Sequence, residues 1–529
     1  GAVTAGREYA SADLSERTLR EIYLPPFAAA VAAGTAAIMP AFNDLAGVPM
    51  TANKAVLRHW LREQAGFDGV VISDYNAIAE LLNHGVAADL DEAAALALAA
   101  GVDIDMTGGA YSRGLPGALA RGLVTQDEID ASVRRVLGLK QRLGLFEAPY
   151  RRGAAIAREQ GDTASLAALA RDVARRAVVL LTHRPGVLPL SPQIGNLAVV
   201  GPLASAPQDM LGPWASAGRG DEAVSVLEGL RAALPACRIE SASGVDAESE
   251  SLDGVPAALD LCRAADAIIL CVGETANMSG EAASRADLGL PGRQRAFAEQ
   301  VLEFGKPVIV VLASGRPLAL PWLFERADAV LATWFLGGQA GHAIADVLIG
   351  KFNPAGKLPL TWPRHGGQVP IFYGQRPSGR PTQQGVRYTS SYRDISASPQ
   401  FPFGHGLSYS RFTLADLQCE PSAARAGESV EISVAIRNDG PFDGEATLFL
   451  FTHDRVAGVA RPLMELKETR KIVLAAGTSD RATWSLPVQD LSFLGPDLEH
   501  LLEPGRFDIL VGQSADRGQM LSCSFELIS

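Results

Sequence analysis

Short apolar runs alternate with amphipathic helical patterns along the first 148 residues. The apolar runs predict strands at 35–40, 70–72 and 102–106, and the helical patterns predict helices at 53–64, 91–100 and 125–143. Strands that alternate with helices at this interval predict a parallel sheet, as in (β/α)8-type barrels. Three strand–helix units are too few for a barrel of eight. We therefore expect 1–148 to be the C-terminal part of such a barrel, in a chain that begins in mid-domain.

A second alternating region follows a stretch at 149–163 that lacks apolar periodicity and is predicted to be a linker. Helical patterns such as those at 222–234 and 293–304 separate its apolar runs. We expect 164–361 to form an α/β sandwich domain with a mostly parallel sheet, buried on both faces. Its predicted strands are 177–181, 197–200, 267–272, 308–312 and 329–333.

The period of the pattern changes in the last third of the chain. Residues 362–405 are rich in Pro, Gly, Ser and Arg and are predicted to be an extended connector. Residues 406–529 contain short strands separated by turn residues, which is typical of an antiparallel β-sandwich of immunoglobulin or fibronectin type. The lack of a Cys–Trp–Cys pattern favours a fibronectin III-like sandwich. The predicted strands are 430–436, 446–451, 471–474, 482–486, 507–511 and 520–525.

Composition narrows the classes of function. The 529 residues carry a net charge of −12, which argues against a nucleic-acid partner because phosphate binding needs clustered Lys and Arg. No apolar run is long enough to predict a membrane span. The five cysteines lack CxxC spacing, so neither a zinc site nor a disulfide framework is indicated. No cofactor is implied, and the first residues, GAVTAGREY, carry no secretion signal.

Asp74 ends the apolar run at 70–72 in the segment GFDGVVISDYN. In barrels of this kind the C-terminal ends of the strands form the active-site face, so an acid at that point faces substrate. We therefore predict that Asp74 is a candidate nucleophile. From the local sequence alone, an N-cap of a helix starting near Tyr75 is an equal alternative.

A second acidic segment, GETANMSGEAASRADLGLPGRQ at 273–294, follows the predicted strand 267–272. It lies where open α/β sheets place their ligand crevice, and it contains Glu274, Glu281 and Asp287. Glycoside cleavage uses two such carboxyl groups, one ionised and attacking, the other protonated and donating to the leaving oxygen. For Glu281 alone, a solvated loop acid is the competing interpretation.

Several long motifs, in order along the chain, resemble those of glycoside hydrolase family 3, most closely its bacterial periplasmic β-glucosidases. The resemblance covers nearly the whole sequence. The motifs that carry it are SERTLREIYLPPF at 15–27, MPAFNDLAGVP at 39–49, GFDGVVISDYNAI at 66–78, HGVAADLDEAAALALAAGVDIDM at 84–106, GEAASRADLGLPGRQ at 280–294, GKFNPAGKLPLTWPR at 350–364 and FPFGHGLSYSRF at 401–412.

The resemblance implies roles for individual residues. The family's nucleophile maps onto Asp74 and its acid/base onto Glu281, with Glu274 as the runner-up for the second role. Core packing is the default alternative for Met39 and Phe42, and an ion pair with a nearby acid is the simpler interpretation of Arg285. The candidate substrate-binding residues are Met39, Phe42, Tyr75, Ser279 and Arg285.

The implied function is that of a retaining exo-acting β-glucosidase that hydrolyses terminal non-reducing β-D-glucosyl residues. β-Xylosidase and exo-β-glucanase are the alternatives within the family. A lysine–histidine pair, an Arg and an Asp that bind sugar hydroxyls in relatives have no counterpart in this chain. An inactive or sugar-binding remnant is therefore the non-enzymatic alternative, and a separate N-terminal fragment that completes the barrel is an expected partner. A homodimer is a candidate assembly, and a periplasmic or secreted location follows by family analogy.

Overall fold

The computed structural model describes residues 2–151, 153 and 162–529. The chain divides into two compact units, residues 1–161 and 162–529, and each is described by itself. Most of the predicted linker at 149–163 lies outside the described residues.

The first unit contains three short parallel strand segments in chain order. β1 and β4 pair in parallel with Ala37 opposite Val70, and a parallel bridge joins Ile72 to Ile104. The three apolar runs predicted from the sequence therefore lie side by side, and their carboxyl ends share one edge. The strands of this unit are β1 (Ala37–Ile38), β2 (Asp44–Leu45), β3 (Val48–Pro49) and β4 (Val70–Val71).

Local capping fixes the helices of this unit. Thr125 accepts a hydrogen bond from the backbone of Glu128, whose side chain reaches back to Thr125, and this confirms the predicted capping box. Gly101 ends another helix in the left-handed conformation, with φ of 103°. The helices are Glu16–Thr18, Leu19–Tyr23, Leu24–Ala32, Ala55–Gln64, Leu90–Ala100, Ala110–Ala120 and Gln126–Arg142, with short turns at Thr4–Gly6, Met50–Ala52 and Ala79–Leu81.

A fully buried carboxylate, Asp103, joins these elements. It accepts hydrogen bonds from Arg62 Nη2 at 2.7 Å and Arg135 Nε at 2.8 Å. The backbone N–H of Val71 and the hydroxyl of Ser132 complete the set at 2.9 and 3.0 Å. One side chain thus connects β4, the helix that contains Arg62 and the helix that contains Arg135.

The second unit is built on a six-stranded sheet in the order β5-β10-β9-β8-β6-β7. β5 runs antiparallel to β10, and the remaining pairs are parallel. This confirms the mostly parallel sheet, although β7 was not among the predicted strands. The strands are β5 (Val179–His183), β6 (Asn196–Val200), β7 (Arg238–Ala242), β8 (Ala267–Gly273), β9 (Val308–Ala313) and β10 (Ala329–Ala332).

The continuous apolar character of β8 follows from burial on both faces. Leu270 and Val272 point into one hydrophobic cluster, and Ile269 and Cys271 point into the cluster on the opposite face. Helices cover the two faces. They are Thr163–Ala177, Pro207–Met210, Val226–Ala233, Val255–Ala264, Gln294–Val301, Pro321–Arg326 and Ala340–Leu348, with short turns at Gly220–Glu222, Ala276–Met278 and Leu302–Phe304.

The predicted connector at 362–405 is irregular apart from the turn Gly366–Gln368. Its first residue, Trp362, is 1% exposed, and its indole N–H donates to the carbonyl of Leu318 at 2.7 Å. Trp362 also forms an antiparallel bridge with Phe401 near the other end of the connector. Both ends of the connector are therefore held on the α/β layer.

As predicted, the C-terminal region is an antiparallel β-sandwich of two sheets. One short parallel pair, β12 with β20, lies at an edge and was not predicted. The sheets have the strand orders β11-β13-β16 and β12-β20-β19-β14-β15. Alternate residues of β13 are buried, which places its apolar side chains between the sheets. The strands are β11 (Phe412–Glu420), β12 (Ala423–Ala424), β13 (Ser429–Asn438), β14 (Gly444–Asp454), β15 (Glu465–Leu474), β16 (Ser479–Pro487), β17 (Phe493–Leu494), β18 (His500–Leu501), β19 (Gly505–Gly512) and β20 (Leu521–Leu527), with turns at Val488–Leu491 and Arg517–Gln519.

No helix in the described part of the chain has the length and apolar character required to cross a membrane. All five cysteines are free thiols, two of them fully buried in the α/β layer.

Replacing Asp103 with Ala tests its connecting role in the first unit. Removing one partner of a buried ion pair leaves the others uncompensated, so we expect a loss of about 3–5 kcal/mol in the free energy of unfolding of this unit. Hydrogen exchange of peptides covering 55–64 and 126–142, together with urea unfolding, measures the loss. Asp68→Ala is the control, since the Asp68 side chain is 86% exposed and pairs only at the surface with Arg142. Unchanged protection in both helices would contradict the role.

Candidate functional site

Asp74 lies two residues beyond the bridge at Ile72, at the carboxyl edge of the short parallel sheet. The preceding residue, Ser73, is buried and donates its N–H to the carbonyl of Ile104 at 2.8 Å. The Ser73 hydroxyl donates to the carbonyl of Asp74 and accepts from the N–H of Met106, both at 2.9 Å. The backbone that presents the Asp74 carboxylate is therefore fixed to the neighbouring strand, while Asp74 itself is half-buried.

The structure shows that Asp74 is not a helix N-cap. Residues 75–78 form turns, and the next helical segment is the single turn Ala79–Leu81. Among the side-chain hydrogen bonds of the described residues, the Asp74 carboxylate accepts only the adjacent N–H of Tyr75, at 2.7 Å. Asn76 has a φ of +61°, a left-handed conformation that Asn tolerates better than most residues. The helix-cap alternative is therefore wrong.

Two apolar side chains beside Asp74 are exposed. Met39 follows β1 and is 44% exposed, and Tyr75 is 63% exposed. Core packing is thus the wrong interpretation of Met39. Phe42 is half-buried and makes an edge-to-face contact with Tyr9, with ring centroids 5.4 Å apart. Because β1 and β4 are parallel neighbours, Met39 and Tyr75 extend from the same edge of the sheet.

One carboxylate at this edge was not predicted. Asp105 directly follows the bridging residue Ile104, and its Oδ2 accepts the N–H of Tyr111 at 3.1 Å. Its other oxygen, Oδ1, is buried without a hydrogen-bond partner in the described structure. The rule that singled out Asp74, an acid just beyond the end of an apolar run, missed Asp105 because that residue lies inside the strand predicted at 102–106.

In the second unit, Glu274 follows β8 and is completely buried. Its Oε1 accepts from Arg285 Nη1 at 2.8 Å, and its Oε2 accepts from Arg316 Nε at 3.2 Å. The hydroxyls of Ser279 and Ser314 donate to Oε2 at 2.8 and 2.9 Å. Two guanidinium groups and two hydroxyls thus surround this carboxylate.

These partners determine the ionisation of Glu274. Burial by itself raises the pKa, but the hydrogen bonds from Arg285, Ser279 and Ser314 and the charge of Arg316 outweigh it and hold the pKa of the Glu274 carboxyl below its usual value. An ionised carboxylate whose oxygens are both engaged is poorly suited to donate a proton. This geometry disfavours the runner-up assignment of Glu274 as the acid.

Ser279 and Arg285, two of the predicted sugar ligands, have intramolecular partners. The Ser279 hydroxyl donates to Glu274 and accepts the N–H of Gly315 at 3.2 Å, and the residue is 6% exposed. Arg285 pairs with Glu274 and donates to the carbonyl of Gly289 at 3.4 Å. The ion pair named as the simpler interpretation of Arg285 is therefore present. Their binding of sugar stays a prediction.

Glu281 is exposed and lies between two residues with positive φ, Gly280 at +90° and Ala282 at +59°. A side chain on Gly280 would meet Pro213, with Cβ only 2.9 Å from that ring. For Ala282 the left-handed conformation costs about 1–3 kcal/mol, which the rest of the loop must offset. Such local strain is frequent where a loop presents a functional side chain.

Among the residues that the structure describes, no group of three His, Cys, Asp or Glu side chains lies close enough together to hold a metal ion.

Comparison with known proteins gives family matches over most of the chain. Residues 1–139 match the Glycosyl hydrolase family 3 N terminal domain, and residues 178–409 match the Glycosyl hydrolase family 3 C-terminal domain. Residues 446–515 match a Fibronectin type III-like domain.

Individual relatives extend these matches. The chain is 37% identical to a periplasmic beta-glucosidase of Salmonella typhimurium, over 100% of this chain and 72% of the relative. It is 36% identical to a beta-xylosidase of Formosa agariphila, over 97% of this chain and 72% of the relative. Among solved structures, a beta-glucosidase from Listeria innocua in complex with glucose superposes with a TM-score of 0.94 at 37% identity, covering 100% of this chain and 72% of that one.

The pH dependence of stability tests the ionisation of Glu274. Because its folded pKa lies below the unfolded value of about 4.3, its contribution is fully present above that pH and is lost as the pH falls through the lower folded pKa. We expect the difference in unfolding free energy between wild type and Glu274→Gln to be constant near neutral pH and to shrink below about pH 4. Urea unfolding followed by tryptophan fluorescence measures it. Glu303→Gln, at an exposed ion pair with Arg326, is the control. A difference that does not vary with pH would overturn the assignment.

Proposed function

This chain belongs to glycosyl hydrolase family 3, and we propose that it is a retaining, exo-acting β-glucosidase that hydrolyses terminal non-reducing β-D-glucosyl residues. The observation that carries the proposal is the half-exposed carboxylate of Asp74 on a fixed strand end, in a chain similar along its whole length to proteins named beta-glucosidase. The similarity to enzymes over the full length of this chain disfavours the inactive remnant as an alternative.

In the proposed mechanism Asp74 attacks the anomeric carbon and forms a covalent glycosyl-enzyme intermediate. The carbon–oxygen bond to the leaving group breaks as the new bond to Asp74 forms. Water then attacks the same carbon and releases the sugar with its original configuration. The hydrogen bonds of Ser73 to Ile104 and Met106 support this role, because they hold the backbone of the nucleophile without engaging its carboxylate.

We assign the acid/base role to Glu281. It protonates the leaving oxygen in the first step and removes a proton from water in the second. Its exposed position, presented by the strained turn at Gly280 and Ala282, suits a group that must reach substrate. Glu274 is the weaker candidate because it is buried and ionised.

The sugar specificity is proposed by analogy. The Listeria innocua beta-glucosidase was solved in complexes with glucose and with laminaribiose, which favours a glucosyl substrate here. A beta-xylosidase is among the similar proteins, so β-xylosidase activity is the second candidate, followed by exo-β-glucanase. Aryl β-glucosides and β-xylosides compared at equal concentration separate glucosidase from xylosidase activity.

Exposure supports two of the predicted sugar contacts, Met39 and Tyr75, more than the others. Met39 and Tyr75 extend from the edge that presents Asp74, and Phe42 follows Met39 closely in the chain. We propose these three as substrate-binding residues. Ser279 and Arg285 are better explained by their bonds to Glu274.

We propose a periplasmic location because the similar Salmonella typhimurium protein is named periplasmic. A small glycoside is the expected partner. The homodimer and the completing N-terminal fragment stay predictions.

Replacing Asp74 with Ala should abolish hydrolysis of an aryl β-glucoside. Loss of a covalent nucleophile lowers kcat by roughly 10⁴-fold or more in hydrolases. Added azide should not restore turnover with retained configuration, because the carboxylate that forms the intermediate is gone. Asp68→Ala is the matched control, an exposed acid six positions upstream. Substantial activity of the Asp74 variant would show that the assignment is wrong.

Replacing Glu281 with Ala should lower kcat/KM by an amount that depends on the leaving group of the substrate. A dinitrophenyl leaving group departs without protonation, so its kcat/KM should stay near that of wild type. An alkyl β-glucoside needs the proton, so its kcat/KM should fall by about 10²–10⁴-fold. Azide should accelerate turnover of the dinitrophenyl substrate and yield β-glucosyl azide.

The control for this experiment is Glu299→Gln, at a surface pair with Arg295. An equal loss for both substrates would count against Glu281 as the acid. Azide rescue of Glu274→Ala instead would reassign the role to Glu274.

A further inference from the structure

Arg316, which follows β9, donates hydrogen bonds to backbone carbonyls on both sides of Glu281 in the chain. Its Nη2 donates to the carbonyl of Met278 at 2.5 Å and to the carbonyl of Ala283 at 2.8 Å. These carbonyls lie three residues before and two residues after Glu281. One guanidinium group therefore fixes both ends of the loop segment 278–283.

The guanidinium group is itself held in place. Arg316 Nε donates to Glu274 at 3.2 Å, and its backbone N–H donates to the hydroxyl of Ser314 at 3.2 Å. Glu274 is anchored in turn, because its N–H donates to the carbonyl of Ala313 at the end of β9 at 2.8 Å. The loop is thus tied to two adjacent strands of the parallel sheet.

A second tie reaches the loop through Ser279. Ser279 lies two residues before Glu281. Its hydroxyl donates to Glu274 and accepts the N–H of Gly315. The loop needs such ties, because the residues on either side of Glu281 have positive φ, one of them an alanine. Without them the strained turn would relax and Glu281 would no longer be presented in one direction.

We propose that Arg316 and the Glu274 carboxylate act as positioning residues that hold Glu281 in the orientation required for proton transfer. This inference rests on the proposed function. It goes beyond charge neutralisation: a lysine at 316 would balance Glu274, but its single ammonium group lacks the two separate donors, Nε and Nη2, with which Arg316 reaches Glu274 and the two loop carbonyls at once. Proton transfer requires the acid within hydrogen-bond reach of the leaving oxygen, so a displaced loop weakens this step before it weakens sugar binding.

The test compares Arg316→Lys with wild type on two substrates that share the glucosyl group, a dinitrophenyl and an alkyl β-glucoside. We expect kcat/KM for the alkyl substrate to fall by about 100-fold, with kcat/KM for the dinitrophenyl substrate nearly unchanged. For the dinitrophenyl substrate, kcat and KM should fall together, since the hydrolysis of the intermediate also needs Glu281. Arg326→Lys, at the exposed pair with Glu303, is the matched control.

Ser279→Ala supplies a second variant that removes one tie and leaves both arginines in place. It should lower kcat/KM for the alkyl substrate selectively. If Ser279 instead binds sugar, both substrates lose equally because their glucosyl groups are identical. Equal losses in both variants would overturn the positioning role, as would a wild-type profile for Arg316→Lys.

Glu281→Ala, measured in parallel, separates the two proposals. If it lacks the selective loss for the alkyl substrate, the acid/base assignment itself has failed. If it shows the selective loss while Arg316→Lys and Ser279→Ala do not, only the positioning inference has failed.

Discussion

The structure depends on one interaction used twice, a buried carboxylate held between two arginines. Asp103 between Arg62 and Arg135 serves the first unit, and Glu274 between Arg285 and Arg316 serves the second. Such groups add little net stability over well-packed apolar residues, because desolvation offsets most of the attraction. Their geometry is nonetheless strict, since each carboxylate oxygen must be satisfied. Each cluster therefore fixes the backbone that leads to a candidate catalytic acid.

The two candidate acids differ from their supporting carboxylates in exposure. Asp74 is half-buried and Glu281 is exposed, whereas Asp103 and Glu274 are buried. The division has a physical reason, because a group that reacts with substrate must be reachable, while the group that holds the backbone must be shielded from water to keep its partners. Rigid support beneath a reachable side chain is what precise catalytic geometry requires.

The sequence predicted the elements of the fold because their signals are local. The apolar runs at 70–72 and 267–272 became β4 and β8, and the capping box at Thr125 and Glu128 starts a helix as expected. β7 escaped prediction because its residues, 238–242, are only partly buried and carry a weak apolar pattern. The helix that was the alternative interpretation after Asp74 is absent from the described turn at 75–78, since the backbone N–H of Asn76 donates to the carbonyl of Met106 at the neighbouring strand end.

The sequence by itself determined the fold class, the family and the two candidate acids, because apolar periodicity and motifs depend on residues that are close together in the chain. Only the tertiary structure decided which acids of the loop are shielded. Glu274 and Glu281 are seven positions apart in the same loop, and in the sequence only the family resemblance ranked Glu281 above Glu274. Arg316, which follows a different strand, distinguishes the two acids: it donates to the Glu274 carboxylate, but it contacts the Glu281 segment through the backbone carbonyl of Ala283. Burial and ion pairing depend on residues distant in the chain, so no local pattern could assign them.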